Sequence, residues 1–222
     1  MPHALWPLFD LVITTPRLEV RLPTDDELAL LAPHANDSIF TNSASMPFVL
    51  NWPFLPSPDR QLSLYQWHTS LRATWKPQAW NLSLVAFLDG QPIGNQAMEA
   101  RNFGKLKTVE TGSYIAAPWQ RQGFGTEIRA AILELAFAEL GAIEAHSAAR
   151  IDNQASSGVS RKLGYVENGQ RNTLFGDEAG RETLLLLTRA NWMANRMPGV
   201  SISGIDRCRS WFGGNGESWQ TA

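Results

Sequence analysis

The sequence predicts an α/β chain of the α+β kind: a mixed sheet with helices on its faces. Three observations carry this. Stretches of period-two alternation and stretches of helical period follow one another as strand, two helices, three strands, helix, strand, helix, two strands. The dipeptide Asp89-Gly90 separates two apolar runs and so marks a hairpin. Among 222 residues, 44% are hydrophobic and 18% charged, enough apolar material for a large core and too little charge for disorder.

Each element has a local reason. In "DLVITTPRLEVRLP" the strand breaks near Pro16, and Leu18, Val20 and Leu22 alternate with Glu19 and Arg21. Thr24 then caps a helix while Glu27, three residues on, reaches back to it as a capping box. The stretch "ASMPFVLNWPFLPS" has no period and reads as an ordered, greasy loop around Phe48, Trp52, Phe54 and Leu55. Pro58 opens a second helix, on which Leu64, His68, Leu71 and Trp75 recur at helical spacing. The hairpin through Asp89-Gly90 follows, then the strand "VETGSYIAAP", ended by Pro118. From Thr126 a helix carries Ile128, Ile132, Leu135 and Leu140 on one stripe and stops at Gly141. "AIEAHSAA" is a strand, "NQASSGVSRKLGY" a helix ending at Gly164, and two strands near 172–175 and 183–188 bracket the turn "GDEAG". Beyond Trp192 the composition loosens into an extra strand, a short helix and a frayed tail.

Composition also excludes. A net charge of −2 gives no electrostatic case for nucleic acid or an anionic membrane. The single cysteine, Cys208, rules out an internal disulfide, and the four histidines lie too far apart for zinc spacing. No apolar run approaches the length of a membrane span, and the N-terminus lacks the basic and apolar regions of a signal peptide. The expectation is a soluble, cytoplasmic protein with no metal.

The stretch "PWQRQGFGTEIRAA" places Gly123 and Gly125 where a helix begins. A chain passing from strand to helix leaves the amides of the first turn unpaired, and glycine lets a ligand approach without meeting a Cβ. Amides and helix dipole together suit a phosphate. A Walker loop would need a lysine before Thr126, and a dinucleotide fingerprint a third glycine; neither is present.

Gln-x-x-Gly-x-Gly opening a helix after a strand, followed about thirty residues later by "NQASSGVSRKLGY", resembles the GNAT superfamily of acyl-CoA-dependent N-acyltransferases. With "TPRLEVRLPTDDEL" near its start, the chain is most similar to the RimJ/RimL-like branch. The resemblance runs from Ile13 to Trp192, which sets an acyltransferase domain at 12–192 and a C-terminal extension at 193–222. It implies a mostly antiparallel central sheet with one splayed strand pair that holds the acyl-CoA. The co-substrate would be acetyl-CoA or another short acyl-CoA such as succinyl-CoA. The acyl group would pass directly to a primary amine of a small molecule or protein, and a homodimer is left open.

Residue by residue, the resemblance puts the pyrophosphate on the loop Gln120, Arg121, Gln122, Gly123, Phe124, Gly125 and Thr126, and the pantetheine arm beside Ile115 and Ala117. Asn153 and Ser156 would lie beside the thioester. Ser156 would donate to the departing thiolate or cap the next helix, and the two roles are compatible. Lys162, with Arg161, would reach the 3′-phosphate or lie on a solvated helix face. Tyr165 stands where the family has a structural phenylalanine and is expected to pack. Glu110 at the start of its strand is the candidate base, against a solvated strand end; Glu99 is a weaker one. His146, mid-strand, reads as a satisfied core or cleft histidine, against a base; His68, on an apolar helix face, reads as packed. "TGSYI" and the context of "HSAARIDN" also resemble members that accept succinyl-CoA, for which Arg150 is the nearest cation, against a solvated strand end.

Overall fold

The computed structural model describes residues 2–34 and 54–213. A single sheet of nine strands runs through it in the order β7-β8-β6-β5-β4-β3-β2-β1-β9. The strands are β1 (Val12–Thr14), β2 (Glu19–Arg21), β3 (Ala79–Leu88), β4 (Gln91–Arg101), β5 (Thr108–Ile115), β6 (Glu144–Arg150), β7 (Val166–Phe175), β8 (Glu178–Thr188) and β9 (Ser201–Ser203). Every neighbouring pair is antiparallel except β5 and β6.

The local signals explain most of this. The β1–β2 hairpin turns through Pro16 and Arg17, closed by the Thr15 amide donating to Leu18 O at 2.9 Å. Asp89 (φ 49°) and Gly90 (φ 80°) take the paired left-handed conformations that a two-residue hairpin turn requires. Helix α1 (Asp25–Leu31) starts on the expected capping box of Thr24 and Glu27. Helix α2 (Asp59–Ala73) buries Leu64 and His68. Along β3, Leu82, Leu84 and Ala86 join the main core, while Val85 and Phe87 on the opposite face join Leu28, Leu31, Ala32 and Leu64. The alternation thus puts α1 and α2 on one face. On the other lie α4 (Phe124–Glu134) and the π turn Leu135–Glu139, ended by Gly141 at φ 74°.

Three features differ from the sequence reading. The glycine-loop helix starts at Phe124 and not at Thr126, because Gly123 takes the left-handed cap position at φ 87°. A one-turn helix, α3 (Phe103–Leu106), stands between β4 and β5; its left-handed ends at Asn102 and Lys107 carry no glycine to betray them. Strand β7 begins at Val166 and not near 172, since a bulge around Gly169 and exposure of both faces erase its alternation. The extra strand and short helix expected beyond Trp192 are present, after α6 (Arg189–Ala194), and they pack into the core. β9 pairs with β1, α7 (Ile205–Cys208) buries Ile205 and Cys208, and Phe212 packs edge-on against Trp80 at 4.9 Å. The expected frayed tail and most of the aromatic loop lie outside the described residues; Phe54 is half exposed. Among the described residues, no helix is long and apolar enough to cross a membrane, and no group of three metal-ligating side chains comes together.

Candidate active site

The parallel pair β5–β6 is short. It joins Thr108–Glu110 to Glu144–His146, after which β5 stays with β4 alone and β6 with β8 alone. Side chains bridge the apex of this fork. Ser147 Oγ donates to Thr111 O at 3.0 Å, and Thr111 Oγ1 donates to His146 O at 3.2 Å. Because the ladder ends there, the inner edges of the two arms are free of strand partners beyond it.

At the open end of the β5 arm the chain turns through the glycine loop into α4. Arg121 (φ 61°) and Gly123 (φ 87°) turn the backbone so that, among the described residues, nothing accepts from the amides of Gln122, Gly123, Phe124 or Gly125. Those amides converge on the positive end of α4. The Thr126 amide, also expected in the cradle, is turned into the helix and donates to Gly123 O at 3.0 Å. Gln120 Nε2 holds Ile115 O at 2.7 Å, and Gln122 Nε2 holds Pro118 O at 3.0 Å. Both glutamines therefore brace the loop with their side chains. Ile115 O and Ala117 O each already accept one hydrogen bond within the protein, and a carbonyl has room for a second.

A residue that sequence reasoning missed fixes this loop. Arg17 Nε and Nη2 grip the buried Glu127 carboxylate at 2.7 and 2.6 Å, and Nη1 donates to Gln122 O at 3.1 Å. Its guanidinium also covers the Phe124 ring at 4.2 Å. Thr15 Oγ1 adds a 2.6 Å bond to Glu127. The only sequence signal was an acid two residues after Gly125, with no hint of its partner.

At the apex, the cross-strand register sets Asn81, Glu99, Glu110 and His146 in one row over β3, β4, β5 and β6. This row, with Trp80, Leu106 and Thr108, lines an open cavity of about 470 Å³. Asn81 Nδ2 donates to Glu99 Oε2 at 2.7 Å. Partial burial, then the Glu110 carboxylate opposite, hold the Glu99 carboxyl above its usual range, against the Asn81 bond and the charge of Arg101. His146 shares the cavity wall and lies 3.4 Å from Glu144. His68 packs as expected, 5% exposed, and burial with the nearby Arg72 pushes its pKa down to about 4.

The family model of the acetyltransferase (GNAT) domain matches residues 17–166, two thirds of the chain. The chain belongs to the GNAT acetyltransferase family. Its fold is shared by solved structures at low identity. Mycobacterium smegmatis RimJ, solved in complex with CoA-disulfide, superposes at a TM-score of 0.67 and 19% identity, over 85% of this chain and 95% of that one. RimL, a ribosomal L7/L12 α-N-protein acetyltransferase solved with coenzyme A, gives 0.66 and 16%, over 80% and 97%. A spermidine N-acetyltransferase SpeG chimera from Vibrio cholerae and hSSAT gives 0.60 and 13%, over 80% and 98%.

The second GNAT block forms α5 (Gln154–Lys162), which follows β6 along the far arm of the fork. Its cap is Asn153, whose Oδ1 accepts from the Ser156 amide at 3.0 Å. Ser156 sits inside the first turn, half-buried, and its hydroxyl is not the cap; this corrects the capping alternative. Lys162 and Arg161 are exposed in the last turn. Tyr165 packs as expected, 3% exposed, its hydroxyl 3.0 Å from Thr111 Oγ1 under the apex. Burial pushes this phenol up, while Arg129 and the Thr111 bond pull it back. Arg150 pairs with Asp152 at 3.1 Å and lies over the Phe175 ring, so the solvated strand end does not hold. Cys208 is buried at the far side of the core, its thiol pushed up to about 12, mainly by burial.

Proposed function

We propose that this GNAT-family enzyme transfers a short acyl group from an acyl-CoA to a primary amine bound in the cavity at the fork apex. Acetyl-CoA is the donor for which the family is named. The observation that carries this reading is the position of Glu110: the last residue of β5 paired with β6, it stands both at the apex of the fork and in the acidic row. The unpartnered amides of Gln122–Gly125 fit a pyrophosphate, and the free arm edges fit an extended pantetheine. Coenzyme A, when bound, supplies the activated thioester. Everything else falls to the chain's own groups.

Glu110, with Glu99 beside it, attracts an ammonium and accepts its proton, directly or through water, leaving a neutral nucleophile. Ser156 Oγ donates a hydrogen bond to the sulfur as the C–S bond breaks. Exposed Lys162 meets the 3′-phosphate. The acceptor, a small molecule or a protein amine, is chosen by the cavity walls.

Release of free thiol with a panel of amines and acetyl-CoA tests the reading, with Glu110→Gln as the control. Turnover that falls at least a hundredfold in the variant, with CoA affinity kept, supports it. Tight CoA binding without turnover on any amine would make the chain a binding module instead.

A further inference from the structure

Arg129 is a buried cation with no counter-charge among the described residues. Only 3% of its surface is exposed, and it lies one turn below Gly125 on the same face of α4. Nη2 donates to Ser113 Oγ at 2.9 Å and Nη1 to Ser160 Oγ at 2.9 Å. Ser113 belongs to the β5 arm, three residues past the last one paired with β6, and Ser160 to α5 on the other arm. The guanidinium therefore lies across the fork as its floor.

No acid answers it. Glu127, on the same helix, is taken by Arg17, and Glu134 by Arg196. Around the guanidinium are two serines and the phenol of Tyr165, and Nε has no partner among the described residues. Burial pulls its pKa down and Tyr165 pulls it up. Such a group destabilises the fold relative to an apolar side chain of like size, and its neighbours Ile128, Ala130 and Ile132 are apolar. A cation held in that setting strengthens any interaction with an incoming anion, because little water screens it.

We propose that Arg129 is the counter-charge for an anion that the acyl end of the donor carries into the fork. This rests on the acyl-CoA reading above. Two sources share that chemistry. A dicarboxylic acyl group such as succinyl brings a terminal carboxylate. Transfer itself makes the other: one ammonium proton goes to the acidic row, the new N–C bond forms, the second proton leaves the nitrogen to water, the C–S bond breaks with its electron pair on sulfur, and a thiolate is left. Arg150, the cation first considered for a carboxylate, is already held by Asp152.

Calorimetric binding of CoA, desulfo-CoA, acetyl-CoA and succinyl-CoA between pH 6.5 and 9 tests it, on the wild type, Arg129→Met and Arg129→Lys. Arg129→Met should weaken one ligand with an anionic acyl or sulfur end at least tenfold more than its counterpart lacking that charge, and Arg129→Lys should restore most of that gap. Selective loss of succinyl-CoA over acetyl-CoA identifies the carboxylate. Selective loss of CoA over desulfo-CoA, widening as pH rises, identifies the thiolate. Equal loss of all four ligands, or none, overturns the proposal. Should Arg129→Met not fold, the wild type still decides: succinyl-to-acetyl and CoA-to-desulfo affinity ratios both within twofold of one refute it. A wild type that binds none of the four refutes instead the acyl-CoA reading beneath.

Discussion

Arg17 and Glu127, 110 positions apart in the chain, meet in a two-point ion pair that fastens the first hairpin to the start of the glycine-loop helix. Glu127 is buried and Arg17 is 44% exposed, so the pair's worth lies in neutralising the buried partner. Arg17→Met should lower stability by about 1–3 kcal/mol in a denaturant titration. It should also weaken CoA binding several-fold, because Gln122 O loses its anchor. CoA affinity unchanged alongside the lower stability would show that the loop holds its shape without Arg17.

Gly123 and Gly125 separate backbone conformation from ligand access. Gly123 sits at φ 87°, and a Cβ there would stand 3.4 Å from Arg17 Nη2. Gly123→Asp should cut CoA affinity at least tenfold, about 1.4 kcal/mol, through strain and charge. A Cβ at Gly125 meets only Val159 and Ile115, at 3.7 and 3.8 Å. Gly125→Ala should therefore fold normally yet weaken CoA if the amides cradle a phosphate. Calorimetry showing full affinity for both variants would remove the phosphate cradle.

Ser156 and Asn153 divide catalysis from stability. Asn153→Ala removes the cap and should cost about 0.5–2 kcal/mol of stability. Ser156→Ala leaves the cap in place, so its melting temperature should hold while kcat falls with little change in acyl-CoA binding. Full kcat in Ser156→Ala would end its role as donor to the thiolate.

His68 makes an acid-stability prediction. Its pKa is lowered in the folded state to about 4 from about 6.5, so between those values the unfolded chain binds more protons. The stabilisation is whole above pH 6.5 and is lost as pH falls toward 4. The loss is roughly 3 kcal/mol at 1.36 kcal/mol per pH unit. Stability measured from pH 7 to pH 4 should fall less steeply in His68→Phe. Parallel curves would place the acid sensitivity elsewhere.

Arg150→Ala should leave the acetyl-to-succinyl ratio of kcat/KM nearly unchanged, since that guanidinium is engaged with Asp152 and Phe175. A collapse of succinyl turnover in this variant alone would transfer the carboxylate site from Arg129 to Arg150.

Much of the molecule was legible before any coordinates. The capping box at Thr24, the Asp89-Gly90 turn and the stripe of α4 are short-range signals, written within a few residues of what they specify. The same holds for the glycine loop, since backbone freedom at Gly123 is a property of that residue. The short helix α3 and the early start of β7 escaped because left-handed Asn102 and Lys107 and a two-sided exposed strand leave no period to read.

By itself, then, the sequence determined the order of elements, the helix caps and the place of the loop, all through bonds between near neighbours in the chain. Only the tertiary structure decided which charges meet. Nothing local links Arg17 to Glu127, sets Asn81, Glu99, Glu110 and His146 in one row, or leaves Arg129 under the fork without an acid among the described residues. Those relations depend on strand register and on which helix face is buried. The burial that makes these charges matter exists only once the sheet has closed over them.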